Sequence, residues 1–207
     1  MRLRHRKWTD EVIEEASSFA YGFEEMKNIP SLKADTLEIG CGLAGFAIEE
    51  TSLHPDQKYI AVEVNRNAFA TACKNILSAE GAKDRILLIN CSIDDLLPYL
   101  PTGVFSNIYV NHPDPWPKKR QEHRRLTYPP LLKEYYRLLK EGGRLIFRTD
   151  NTGLYEASLG YFQSVDLFKT ETYDPFLSED YGISATEYER KFRAEGVDIK
   201  AVVAYKE

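Results

Sequence analysis

Between Asn111 and Arg125 the chain reads Asn-His-Pro-Asp-Pro-Trp-Pro-Lys-Lys-Arg-Gln-Glu-His-Arg-Arg. Pro113, Pro115 and Pro117 each fix φ and lack an N–H donor, so the run is neither helix nor central strand but a stiff loop. It holds one carboxylate, Asp114, and one flat aromatic, Trp116, and then runs into Lys118, Lys119, Arg120, Arg124 and Arg125. An acid that accepts base N–H groups, a ring that stacks and a cationic tail that meets phosphate are the parts needed to hold a nucleobase within a polyanion. A second segment with chemistry is Glu38-Ile-Gly-Cys-Gly-Leu-Ala-Gly45. Its Gly40 and Gly42 allow a sharp turn and close backbone approach to a ligand. The spacing Gly40-x-Gly42-x-x-Gly45 also fits the dinucleotide fingerprint. Glu63 follows eighteen residues after Gly45, where a carboxylate can accept both ribose hydroxyls of an adenosine. Glu38 suits a cofactor with a cationic aminoacyl end and is poorly placed beside a pyrophosphate.

These residues need a frame that brings them together. Short β-rich runs at about 34–40, 58–63, 86–90, 105–110 and 144–149 alternate with helical patterns at about 44–53, 65–80, 93–99 and 128–140. The last helix shows Leu131, Leu132, Tyr135, Leu138 and Leu139 near the 3.6 period and is predicted to stop at Gly142-Gly143. Strand and helix alternating in this way predict an α/β fold with a doubly wound, mainly parallel sheet. No Pro/Gly/Ser-rich linker or internal repeat divides the chain, so residues 1–207 read as one domain. Residues 1–30, with Trp8, Val12 and Ile13, read as a basic extension carrying an amphipathic helix laid over that domain.

Composition fixes the setting. The 207 residues are 43% hydrophobic and 29% charged, ordinary for a globular protein. No apolar run approaches the ~20 residues of a membrane span. Cys41, Cys73 and Cys91 are odd in number and lack C-x-x-C spacing, and His5, His54, His112 and His123 lack metal-ligand spacing. A cytoplasmic protein with no metal is expected. The net charge of −5 argues against a nucleic-acid partner until its distribution is considered. Residues 1–7 and 118–125 together carry +8, leaving −13 on the rest. Such a body attracts phosphate locally and repels it elsewhere.

Taken together, Glu38-Ile-Gly-Cys-Gly, Val62-Glu63-Val64, the Pro-Asp-Pro-Trp-Pro-Lys-Lys-Arg loop with Arg124-Arg125-Leu126-Thr127, Phe147-Arg-Thr149-Asp150 and Thr186-Glu-Tyr-Glu189 resemble the bacterial tRNA (guanine-N7-)-methyltransferase family. The resemblance covers nearly the whole chain, and the proline loop is its most specific part. It implies a class I, Rossmann-like methyltransferase fold, S-adenosylmethionine as cofactor, and tRNA as the partner of a monomer or homodimer. It also implies that Glu38, Gly40, Gly42, Glu63, Ser92 and Asp114 contact the cofactor and that Asp114 is the catalytic residue. Lys118, Arg124, Arg125, Asp150, Thr186, Tyr188 and Glu189 are the implied tRNA contacts. Three positions depart from the pattern. Ala44 replaces a usual glycine beside an unusual Leu43, Ser92 stands where Asp or Asn is common, and Gln121 replaces a usual His. Ala44 spares the turn if its φ is negative.

The implied reaction moves a methyl group to N7 of a guanine in the tRNA variable loop. Guanine N7 carries an in-plane lone pair and no proton, so it attacks without a base, and alignment is the main task. Asp114 can accept the guanine N1–H and N2–H groups and favour the positive charge spreading over the methylated ring. Trp116 either stacks on the base or braces the loop. The alternatives are a methyltransferase acting on an amino group, a nicotinamide oxidoreductase on the same glycine loop, and a non-catalytic RNA-binding protein.

Overall fold

The computed structural model describes residues 7–27 and 34–207, so the basic run expected to help bind RNA at 1–7 lies outside the described residues, save the backbone of Lys7. In chain order the elements are α1 (Lys7–Glu15), β1 (Ala20–Gly22), α2 (Phe23–Met26), β2 (Thr36–Ile39), α3 (Gly45–Leu53), β3 (Tyr59–Val62), α4 (Arg66–Ser78) and β4 (Ile86–Asn90). There follow α5 (Ile93–Leu96), β5 (Phe105–Asn111), α6 (Pro129–Leu138), β6 (Leu139–Thr149), α7 (Thr152–Val165), β7 (Lys169–Tyr173), α8 (Glu187–Ala194) and β8 (Lys200–Tyr205).

One eight-stranded sheet runs β1-β4-β3-β2-β5-β6-β8-β7, parallel except where β8 pairs antiparallel with β6 and β7. Central strands β2 and β3 are buried at every residue, which is why they read as near-continuous apolar runs between two helical layers. One core face gathers Leu37, Ile108, Leu132, Leu138 and Phe162, and the other gathers Phe46, Ala61, Phe69, Cys73 and Ile76. Chain order reverses where β2 meets β5. In an open α/β sheet the crevice beyond the strand ends at such a point is where ligands bind. The ends that meet there are Ile39, Val62, Asn90 and Asn111.

Several expectations are corrected by the packing. Helix α6 ends at Leu138, because Leu139 is already extended and pairs with Phe105 in β6. The Gly142-Gly143 pair lies inside β6 and not at a helix terminus. A Cβ on Gly143 would stand 2.8 Å from both the Lys140 and Phe105 carbonyl oxygens, so the glycine answers a close backbone approach. In α1, Val12 and Ile13 pack on the core, while Trp8 stays 37% exposed. The Asp10–Arg66 pair at 2.8 Å joins α1 to α4. The three-residue β1 is too short to show a pattern, and β7 has no buried face, so neither carries alternation that a sequence could display.

Candidate active site

At the switch point lies a cleft of about 650 Å³, whose wall includes Gly40, Glu63, Ser92, Asn111, Asp114 and Trp116. The glycine loop forms its floor. Gly40 and Gly42 have φ of +78° and +56°, in the region that only glycine enters freely. Ala44 follows with φ +62°, so the condition under which alanine would spare the turn is not met. The alanine carries left-handed strain of about 1–2 kcal/mol, held in place by complete burial under α3.

Glu63 is fixed by that loop. One carboxylate oxygen accepts the Gly42 N–H at 2.9 Å and the other the Asn65 N–H at 2.7 Å. A carboxylate offers about four lone-pair sites, so each oxygen can still accept a hydroxyl from the cleft. Burial raises the Glu63 pKa, the two backbone bonds work against this, and the nearby charge of Asp114 adds to the rise. Cofactor pocket and proline loop are therefore within electrostatic reach of each other.

Ser92 lies on the cleft wall and Glu38 directly beneath its neighbours. Glu38 is 2% exposed and lies behind the cleft wall, where it accepts Asn111 Nδ2–H at 3.0 Å and the Tyr59 hydroxyl at 3.4 Å. It is Asn111, absent from the sequence-based candidates, that reaches the wall. Burial pushes the Glu38 carboxyl up to about 7, against the pull of the Asn111 bond and the Arg148 charge. The Ser92 hydroxyl caps α5, accepting the Asp95 N–H at 3.2 Å and donating to the Asp95 carboxylate at 2.7 Å. Its hydrogen is committed but one lone pair remains, so a donor edge beside α5 meets Ser92, backbone or the exposed Asp94.

Two non-glycine residues at positive φ, His112 (+46°) and Trp116 (+40°), bracket Pro113-Asp114-Pro115. Arg125 pays for that shape with its guanidinium, donating to the Pro115 carbonyl at 3.0 Å, the Trp116 carbonyl at 3.1 Å and the Tyr161 hydroxyl at 2.7 Å. Arg125 thus braces the loop through three of its five N–H groups. Arg124 remains exposed, 4.9 Å above the Trp116 ring, so one face of the indole is covered. Asp114 is exposed at the loop's apex, and Lys118 to Arg120 extend into solvent. His123 and Leu126 join the wall without having been singled out by type or spacing.

The remaining candidates gather around the C-terminal ends of β5 and β6. Asp150 is half-buried beside His112, Thr186 caps α8, and Tyr188 is 58% exposed. Glu189 is wholly buried and pairs with Arg148 at 3.1 Å and Arg193 at 2.7 Å. Its carboxylate cannot touch a macromolecule from outside, so its expected tRNA contact becomes a scaffold role. Arg148 also donates from Nε to Asn111 Oδ1 at 2.8 Å and from Nη1 to Ser178 and Ser184.

Residues 33–202 match the family model described as "Putative methyltransferase". A tRNA (guanine-N(7)-)-methyltransferase of Bacillus subtilis is 34% identical over 211 residues, covering 96% of each chain. One from Clostridium beijerinckii is 33% identical over 218 residues and the whole of both chains. Among solved structures, the 16S rRNA methyltransferase KamB superposes with a TM-score of 0.60 at 13% identity, covering 99% of this chain and 97% of that one. The tRNA (m1A58) methyltransferase TrmI of Aquifex aeolicus gives 0.55 at 15% identity, covering 100% and 71%. At such identities the structural likeness speaks for the fold alone, and that fold is the Rossmann-like methyltransferase class.

The Glu38 carboxyl yields a prediction for stability. Its folded pKa of about 7 lies above the ordinary value of 4.5, so the native state binds its proton more tightly than the unfolded chain does. That contribution is complete below about 4.5 and is lost as pH rises through 7, amounting to up to about 3 kcal/mol. Urea unfolding of wild type and Glu38→Gln at pH 5 and pH 8 isolates it. The variant should gain on wild type by about 1–3 kcal/mol between the two pH values. A difference independent of pH would mean that Glu38 is ionised throughout.

Proposed function

The chain belongs to the tRNA (guanine-N7-)-methyltransferase family, and from that membership we propose that it methylates N7 of a guanine in the variable loop of folded tRNA, using S-adenosylmethionine. The observation that carries the reading is the placement of Asp114 and Glu63 on one cleft, close enough for the charge of one to raise the pKa of the other. A ribose-binding acid and a base-binding acid sharing a single cleft suit group transfer between an adenosyl cofactor and a nucleobase.

The donor set fits that cofactor. Glu63 keeps free lone pairs for the ribose hydroxyls, and the backbone of Gly40 and Gly42 permits close approach. Val64, an apolar side chain left 69% exposed on the wall, and Ile93 opposite in sequence at the start of α5 offer flat surface to an adenine ring. When bound, S-adenosylmethionine supplies a methyl group already activated on a sulfonium. The protein's share is then alignment and charge. Asp114 accepts guanine N1–H and N2–H, turns N7 into the cleft and favours the positive charge gained by the ring. Trp116 and Arg124, stacked on each other, both line the cleft. Asp150, Thr186 and Tyr188 border the RNA side, and exposed Lys118 and Arg124 meet phosphate.

The same geometry weakens the reading as an amino-group methyltransferase. An exocyclic amine needs a neutral acceptor, and the Asn111 amide oxygen already accepts from Arg148 while its nitrogen donates to Glu38. Chemistry of this kind serves a cytoplasmic tRNA pool, in keeping with a structure that has, among its described residues, no helix long and apolar enough to cross a membrane.

Transfer of labelled methyl groups to unmodified tRNA tests the reading, and Asp114→Asn tests its mechanism. The variant should lose about 10²–10³ in kcat, roughly 2.7–4 kcal/mol, with RNA affinity nearly unchanged because distant phosphates supply most of it. Cofactor affinity is measured alongside in the same variant. Near-normal turnover at saturating substrates would reduce Asp114 to a loop brace.

The two arginines beside the loop should part company. Lys118→Ala and Arg124→Ala should each reduce the log–log salt slope of RNA binding by about 0.7–0.9. Arg125→Ala should leave that slope alone and lower kcat, since its guanidinium is spent on Pro115, Trp116 and Tyr161. A slope loss in Arg125→Ala equal to that of Arg124→Ala would contradict the bracing role.

A further inference from the structure

His112 has an unusual amount invested in it. It adopts φ +46°, a conformation few side chains tolerate, although no ligand-spacing pattern singles it out. The backbone there is fixed, its N–H donating to the Arg148 carbonyl at 2.8 Å. The imidazole is 7% exposed and touches three groups at once. Its ring stacks on Tyr188 with centroids 5.6 Å apart and planes at 26°. Its Nε2 lies 3.0 Å from Thr186 Oγ1. Its Nδ1 stands 3.7 Å from Asp150 Oδ1 and, buried as it is, has no hydrogen-bond partner.

The direction of the hydrogen bonds follows from the chemistry of the partners. Thr186 Oγ1 already accepts the Glu189 N–H at 2.9 Å and retains its own hydrogen to donate. Donation to Nε2 places the ring proton on Nδ1, facing the Asp150 carboxylate, which can only accept. The opposite arrangement would aim a lone pair at that carboxylate. Burial, with the Arg148 charge, lowers the imidazole to about 4, so the neutral ring is the form present near pH 7. At 3.7 Å the Nδ1–H and carboxylate are just short of a hydrogen bond, which leaves a buried donor poised and unspent.

We propose that His112 is a positioning residue for the target guanine: it holds Tyr188, Thr186 and Asp150 as one surface beside Asp114, and base binding closes the gap between its Nδ1–H and Asp150. The proposal rests on the guanine-methyltransferase reading. Its logic is steric and electrostatic. A guanine held on Asp114 by N1–H and one N2–H draws the Asp150 carboxylate inward through its second N2–H, and the waiting Nδ1–H favours that movement. A base without donors at that edge gains nothing from it, so His112 contributes to selection as well as to alignment.

Two variants separate this from a merely structural role. His112→Phe keeps a ring against Tyr188 and removes both nitrogens. His112→Asn sets an amide donor near the Nδ1 position, and Asn tolerates a left-handed backbone. Steady-state kcat and KM for tRNA, calorimetric affinity for S-adenosylmethionine and Tm are measured for each. His112→Phe should lose about tenfold or more in kcat/KM for tRNA with cofactor affinity within about twofold of wild type, and His112→Asn should recover to within about threefold. If His112→Phe does not fold, His112→Gln, which fills only the Nε2 position, takes its place in the comparison. Equal activity in the two variants, wild-type activity in the variant lacking an Nδ1 donor, or a loss of cofactor affinity and Tm in step with turnover would each overturn the proposal. A wild-type protein that transfers no methyl group to tRNA would instead overturn the function, and this inference with it.

Discussion

A guanidinium taken wholly out of water costs several kcal/mol unless its N–H groups find partners, and Arg148 is 0% exposed. Its partners on Nε and Nη1 therefore constrain the structure strongly, while Nη2 is buried with no hydrogen-bond partner among the described residues. Asn111 takes Nε, Glu189 with Ser178 and Ser184 takes Nη1, and the ring of Phe46 lies 4.6 Å beneath the guanidinium carbon. These contacts tie β5, α3 and the approach to α8 onto β6. Asn111 then passes the constraint to Glu38 on β2, and Glu189 passes it to Arg193 and Glu179 on the outside. The two sides of the cleft, the glycine-loop side and the proline-loop side, are in this way joined by one chain of hydrogen bonds.

That chain explains why the loop carrying Asp114 can afford its strain. His112 and Trp116 both hold positive φ, each costing on the order of 1 kcal/mol or more. The first is clamped by the Arg148 carbonyl and the second by Arg125. In the proposed function such rigidity serves Asp114, because any reorganisation during reaction would subtract from the stabilisation it gives.

Much of this was legible in the residues themselves. The five strands from 34 to 149 announced themselves because buried parallel strands need continuous apolar runs, and the proline loop announced itself because three prolines admit no regular structure. What stayed hidden depends on distance in the fold. Glu38 entered as a cofactor contact and Glu189 as an implied tRNA contact, and nothing local to them reveals the burial that Arg148, Tyr59 and Asn111 impose. Arg125 and Arg124 are neighbours of one type, and the Pro115 and Trp116 carbonyls with the Tyr161 hydroxyl on α7 separate the brace from the exposed cation. The left-handed φ of Ala44 likewise belongs to the turn and not to the residue, which has no preference for it.

The central claim is chemical identity: the group modified is the N7 atom of a guanine. Purified protein is incubated with unmodified tRNA and S-adenosylmethionine carrying a deuterated methyl group, and the RNA is digested to nucleosides for mass spectrometry with fragment mapping to position. The account predicts labelled 7-methylguanosine, confined to one guanine of the variable loop. Label on an exocyclic amine, on another ring nitrogen or on a base other than guanine would contradict it, as would tRNA returned without label.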